Sequence, residues 1–274
     1  MKKIVIKESI IKKVGKEKGK TLAIFCGVHG NEKAGILAVS SVLKDIEIKK
    51  GVVYFVYANP EAINKNIRLI NKNLNRCFLK NNKGRTVEDK RARVLMKILD
   101  KCDGLLDLHA SNVEKSTPFA ICEKSSYKLA KIFDVGIVSS GWDKIEPGAT
   151  DGYINKKKGT LSLGLECGYA EDLEKVGLAQ KSIYQFLQYF GVIDKKVDFS
   201  KRKQKIMNVI KAVKKETDDF SFTKKFKDFE FLKEGKLIAH DSSKKYFAGK
   251  NEFIIFASAE KKKGQEAFII GKTK

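Results

Sequence analysis

Arginine is nearly missing from a chain that is otherwise strongly basic. The 274 residues carry 56 lysines and arginines against 33 aspartates and glutamates, a formal net charge of +23. Only Arg68, Arg76, Arg85, Arg91, Arg93 and Arg202 are arginine. Phosphate and base recognition favour the planar guanidinium fork. Lysine spread over every segment describes a solvated surface, so no nucleic-acid partner is expected from the charge. The positive field is still expected to attract small anionic substrates. Cysteine is sparse and scattered: Cys26, Cys77, Cys102, Cys122 and Cys167 form no C-x-x-C pair and are odd in number. That argues against a zinc ribbon and a disulfide framework, and for a reducing, cytoplasmic setting. No apolar run approaches the roughly 18 residues of a membrane span. Charges break the basic N-terminal stretch MKKIVIKESIIKK, which therefore lacks the apolar core of a signal peptide. No long internal repeat is present.

What is present is a globular composition, with 42% hydrophobic residues. The length suits a main domain with a small one attached. Apolar runs of strand length alternate with helical patterns. TLAIFCGV (21–28), GVVYFVYA from Gly51, DGLLDLHA (103–110), PFAICE (118–123), GIVSS (136–140) and LSLGLEC (161–167) read as strands. Helices are predicted over 31–44, with Ile36, Leu37, Ser40 and Leu43 on one face, and over 87–100, capped by Thr86 with Glu88 and Asp89 in the first turn. Two more are predicted at 125–133 and 171–190, the latter with Leu173, Val176, Ile183, Leu187 and Phe190 mostly inward. Residues 60–84 read as a polar, asparagine-rich loop. Continuous apolar strands alternating with helices predict an α/β fold, a mixed and mostly parallel sheet with helices on both faces. After residue 192 the chain turns highly charged, then shows short apolar clusters separated by glycine and lysine. The expected division is a catalytic domain over 1–195 and a small β-rich C-terminal domain over 196–274.

Four groups of residues bear chemistry. His29 and Glu32 lie three apart in GVHGNEKAG, where glycines permit a sharp strand-to-helix turn. Imidazole and carboxylate are ordinary zinc ligands, although on spacing alone an exposed turn histidine before a helix-N-terminal glutamate is the plainer reading. His109 ends a strand and shares a face with Asp107, where an open α/β sheet puts its ligands. It would complete a His-Glu-His set, or else be a histidine satisfied by Asp107. Glu166 ends LSLGLEC on the face of Ser162 and Gly164, a placement that suits a general base activating water at a metal, or a plain surface ion pair. Arg68 and Arg76 lie in the asparagine-rich loop, able to hold a carboxylate or an oxyanion, or simply solvated.

Taken in order, HGNE, NP…R…NLNR, DLH and a strand-terminal glutamate resemble the succinylglutamate desuccinylase/aspartoacylase family, part of the zinc carboxypeptidase-like group. The resemblance spans about residues 20–190, and the C-terminal segment is compatible with the family's small β domain. It implies one zinc ion per chain held by His29, Glu32 and His109, with Glu166 as the catalytic glutamate. It further implies that Arg68 polarises the scissile carbonyl and that Asn75 and Arg76 hold a substrate carboxylate. The implied activity is zinc-dependent hydrolysis of an amide bond in a small, carboxylate-bearing N-acyl amino acid. A carboxypeptidase acting on short peptides stands as the alternative. So does a zinc-binding protein without catalysis, or a polyanion-binding one. Two departures accompany the resemblance. Asn73 stands where relatives carry an aspartate expected to orient a zinc-ligating histidine. The tyrosine expected as a substrate contact in the C-terminal tail is missing.

Overall fold

The computed structural model describes residues 4–273. The strands are β1 (Ile10–Val14), β2 (Glu17–Cys26), β3 (Lys50–Tyr57), β4 (Gly104–Ser111), β5 (Phe119–Ile121), β6 (Ile137–Ser140) and β7 (Leu161–Tyr169). They continue as β8 (Lys205–Lys214), β9 (Ser221–Phe222), β10 (Glu230–Phe231), β11 (Leu237–His240), β12 (Lys245–Phe247), β13 (Glu252–Ile255) and β14 (Glu266–Lys272). The helices are α1 (Lys33–Asp45), α2 (Pro60–Lys65), α3 (Val87–Leu99), α4 (Tyr127–Ala130), α5 (Trp142–Ile145), α6 (Thr150–Ile154) and α7 (Val176–Tyr189).

Eleven strands form one mixed sheet in the order β1-β3-β2-β4-β7-β5-β6-β8-β14-β13-β10. Its centre, β3-β2-β4-β7, is parallel. The alternation along β2 shows why a continuous apolar run is needed there. Leu22, Ile24 and Cys26 enter the core beneath α1 and α7, whereas Ala23 and Phe25 enter the core beneath α3 and α6. All five are fully buried. Truncating Phe25 to alanine in such a two-sided core costs about 3–5 kcal/mol.

Several local expectations shift. The buried stripe of α1 runs through Ala34, Gly35, Ile36, Ala38, Val39 and Val42, while Leu37, Ser40 and Leu43 are only half-buried. The last expected helix begins late. Residues Leu173–Lys175 form a 3-10 turn capped by the Asp172 side chain, which leaves Leu173 40% exposed. The segment expected as a helix over 125–133 is a 3-10 turn followed by the single turn α4. The loop expected over 60–84 contains α2, with Asn59 as its side-chain cap and Pro60 in its first turn. Both were readable start signals.

The expected boundary near residue 195 falls between α7 and β8. The sheet does not stop there: β8 pairs in parallel with β6, and β14, β13 and β10 extend the same sheet. Among the described residues, β12-β11-β9 form the one separate sheet, packed through Phe220, Phe222, Phe226 and Tyr246 against Phe268.

The start of α3 anchors the loop that precedes it. Thr86 Oγ1 accepts from Asp89 N at 3.2 Å, and Asp89 Oδ2 accepts in return from Thr86 N at 3.2 Å, completing a capping box. Glu88, fully buried, accepts backbone N–H bonds from Ile70 (2.8 Å) and Asn71 (3.2 Å), holding the chain between Arg68 and Arg76. Thr86→Ala should lower unfolding free energy by about 1 kcal/mol, measured by urea denaturation. No shift in the midpoint would remove the capping box as a source of stability.

Candidate active site

The carboxyl ends of β2, β4 and β7 meet at one edge of the sheet, where open α/β sheets bind ligands. After β2 the chain must turn hard. Gly27 takes a left-handed φ of +64°, and a Cβ on Gly30 would lie 2.1 Å from the backbone of Ala62. That approach pins the HGNE turn against α2 and directs His29 inward. Glu32 occupies the N-cap position of α1 but makes no side-chain cap bond. Its carboxylate turns to the site instead.

There it gathers four nitrogens. Oε1 lies 2.6 Å from His29 Nδ1 and accepts from Arg68 Nη1 at 3.1 Å. Oε2 lies 3.1 Å from His109 Nδ1 and accepts from Ala110 N at 3.1 Å. Burial would raise the Glu32 pKa, but the two histidines outweigh it and hold the carboxyl below the usual carboxylate range. The three expected ligand residues are therefore brought together and buried, with one ligand atom from each lying within 4.8 Å of the others. The exposed-turn reading of His29 is excluded, since the residue is 5% exposed.

The outer nitrogen of each ring is also occupied. His29 Nε2 lies 3.0 Å from Asn73 Oδ1, and that oxygen also accepts from Asn75 N at 2.9 Å. The amide oxygen thus faces the ring, so Nε2 carries the proton. Burial, helped by Arg68, pulls the His29 pKa down to about 4. Both ring nitrogens of His29 face oxygen atoms, and a metal ion bound by Nδ1 and Glu32 would require Nδ1 without its proton. His109 Nε2 lies 3.0 Å from Asp107 Oδ2, which also accepts from the Thr150 hydroxyl. Burial lowers the His109 pKa, but Asp107 and Glu32 outweigh it, so the ring is held protonated well above its usual range. The donor set of two Nδ1 atoms and a carboxylate, each imidazole oriented from behind, is the kind that holds a divalent transition metal.

Glu166 pairs in register with His109 across β4 and β7. It is 7% exposed, and its Oε2 has no hydrogen-bond partner among the described residues. Burial, with Glu32 nearby and against the pull of His109, pushes its carboxyl up to about 8. Together these residues border a cleft of about 900 Å3. Arg68, Asn75 and Arg76 also line it, as do Trp142, Phe226 and Phe256.

Arg76 is not open to the cleft as a free cation. Nη2 pairs with Glu146, Nη1 donates to Asn75 O at 2.9 Å, and Nε lies 3.9 Å from Glu266 Oε1. Asn75 Oδ1 accepts from Thr150 N at 3.1 Å, at the start of α6. The sequence reading missed Glu146, whose only local signal is the Pro147-Gly148 turn after it, and Asp151, to which no spacing points. It also missed Asp228. That carboxylate accepts from Ser111 Oγ (2.9 Å), Ser116 Oγ (2.6 Å) and Phe256 N (2.8 Å). It ties the loop after β4 to the end of β13, where Phe256 sits at a left-handed φ of +56°. Among the described residues no helix is long and apolar enough to cross a membrane.

A mixed α/β sheet, parallel at its centre, with a buried His-Glu-His group at its strand ends, facing an isolated glutamate, is an architecture of amide hydrolases. Residues 18–187 match the succinylglutamate desuccinylase/aspartoacylase catalytic domain, and the chain belongs to that family. Members are deacylases that hydrolyse amide bonds. A succinylglutamate desuccinylase of Shewanella sp. (strain W3-18-1) is 27% identical over 285 residues, covering 92% of this chain and 82% of the relative. The corresponding protein of Vibrio campbellii is 25% identical over 274 residues, covering 92% and 80%. The fold matches a crystal structure of succinylglutamate desuccinylase from Vibrio cholerae with a TM-score of 0.78 at 20% identity, over 96% of this chain and 85% of that one.

An acid with a pKa of about 8 keeps its proton at neutral pH, and a cation placed beside it lowers that pKa. Loading a divalent metal near neutral pH should therefore release protons from His109 and from Glu166. Calorimetry in buffers of different ionisation enthalpy should show about one proton fewer for Glu166→Gln. Equal release from both proteins would show that Glu166 carries no such proton. Asn73→Ala should weaken metal binding by about 10- to 100-fold in a competition titration with a chelator, because His29 loses its orienting partner.

Proposed function

We propose that this protein is a zinc-dependent deacylase that cleaves the amide bond of a small N-acyl amino acid. The observation that carries this reading is the convergence of His29, Glu32 and His109, all buried, with one ligand atom from each within 4.8 Å of the others. His29, Glu32 and His109 would hold one ion. A zinc ion there supplies Lewis acidity, which makes water a nucleophile at neutral pH and polarises an acyl carbonyl.

The chain's own groups do the rest. Glu166, buried and with an unpartnered oxygen, takes a proton from the attacking water and delivers it to the amine nitrogen as the C–N bond breaks. Arg68 lines the cleft beside Glu32 and donates to the carbonyl oxygen as negative charge develops there. Asn75 and Arg76 receive one carboxylate of the substrate. At Arg76 that carboxylate takes the place of Glu146. The products are a carboxylic acid and an amino acid. The segment after residue 195 contributes Lys224, Phe226, Phe256 and Lys261 to the cleft, and we assign to it the far wall of the substrate site.

Metal analysis of the purified protein, joined to a hydrolysis screen of N-acetyl, N-succinyl and dipeptide substrates, tests the proposal. One zinc per chain and turnover of N-acyl amino acids is the expected result. Absence of zinc removes the reading at its base, and turnover of dipeptides alone replaces it with a carboxypeptidase. Glu166→Gln should keep the metal and lose about 10²- to 10⁴-fold in kcat. Undiminished turnover would exclude the role given to Glu166.

A further inference from the structure

The charges inside the cleft do not match those on the surface. Four lysines of the C-terminal segment border it: Lys224, Lys225 and Lys227 are solvent-exposed, and Lys261 is half-buried, where it feels the charges of Arg68 and Glu266. The groups that pair with Arg76 itself are acidic. Glu146 is 5% exposed and pairs with Arg76 Nη2, and Glu266 lies 3.9 Å from Arg76 Nε. Asp151 is 8% exposed and borders the same cleft. Among the described residues, no other side chain donates a hydrogen bond to its carboxylate.

Glu146 therefore occupies the position on Arg76 that a substrate carboxylate would take. A substrate that enters with one carboxylate displaces Glu146 from the guanidinium. It leaves behind a buried carboxylate with no counter-ion, in a cleft that Asp151 also lines. Uncompensated buried charge is strongly unfavourable. A substrate with two carboxylates makes matters worse, adding like charge to the same pocket. A substrate that brings a carboxylate and a cation together resolves both costs, because the internal Arg76–Glu146 pair is exchanged for two pairs with the ligand.

We propose that Glu146, with Asp151, is a specificity-determining residue that selects N-acylated amino acids with a basic side chain, whose ammonium or guanidinium group takes the place of Arg76 beside Glu146. This rests on the deacylase reading for its chemistry, but the charge selection is a property of the pocket alone. The acyl portion, which lies toward Arg68 and the metal ligands, is not constrained by it.

The test compares the zinc-loaded protein on Nα-acetyl-L-ornithine and Nα-acetyl-L-lysine, on N-acetyl-L-aspartate and N-acetyl-L-glutamate, and on uncharged N-acetyl-L-methionine. The basic substrates should exceed the acidic ones in kcat/KM by at least about tenfold. Glu146→Gln should reduce the ratio of basic to uncharged substrate by about tenfold or more, chiefly through KM, and Asp151→Asn should shift it in the same direction. Preference of the wild-type protein for the acidic substrates would overturn the proposal without any variant. So would an unchanged ratio in both variants with metal content and urea midpoint intact. If no probe is hydrolysed, the deacylase reading fails separately, and calorimetric binding of free L-ornithine and L-glutamate decides the selection. Tighter ornithine binding that weakens in Glu146→Gln sustains it, and equal or tighter glutamate binding overturns it.

Discussion

A single carboxylate organises this molecule's site. Glu32 stands where a helix cap belongs, yet it spends both oxygens on His29, Arg68, His109 and Ala110 N. Those partners come from the turn after β2, the loop before α3 and the end of β4. The carboxylate can reach all of them only because Gly27 and Gly30 let the turn sink against α2. Position and ionisation depend on each other here. Burial would neutralise Glu32, and the imidazoles keep it charged. Asn73 and Asp107 in turn set which nitrogen of each ring faces inward.

Much of the fold was legible in the sequence because buried parallel strands need uninterrupted apolar runs, and β2, β4 and β7 have them. The gathering of His29, Glu32 and His109 was also legible, though through the order of motifs and not through spacing, since His-x-x-Glu alone suits an exposed turn equally well. What escaped has a common physical origin. Glu88 looks like an ordinary first-turn acid, but it satisfies backbone donors at Ile70 and Asn71, 18 and 17 residues earlier in the chain. Glu146 and Asp228 act on partners far away in the chain, Arg76 and the serines after β4. Pairing across such distances depends on which loops tertiary packing brings together. The α2 helix is a different case, since its Asn59-Pro60 start was in plain view.

Asn73 takes on a clearer meaning in the same light. An amide oxygen orients His29 as a carboxylate oxygen would, and it also caps the turn that places Asn75 and Arg76. What it withholds is negative charge behind the ring, whereas His109 retains Asp107 for that purpose. The two imidazoles are thus electronically unequal, one backed by a neutral amide and the other by an anion.

The continuity of the central sheet reaches beyond the site. β6 is paired on one side by β5 and on the other by β8, which belongs to the C-terminal segment. Without that segment, β6 would present a row of open amide and carbonyl groups flanked by apolar neighbours, a template for joining other chains edge to edge. The C-terminal strands therefore also cover an edge that would otherwise lie open. They carry the sheet away from its catalytic core, through β14 and β13, to the two-residue strand β10 at its rim.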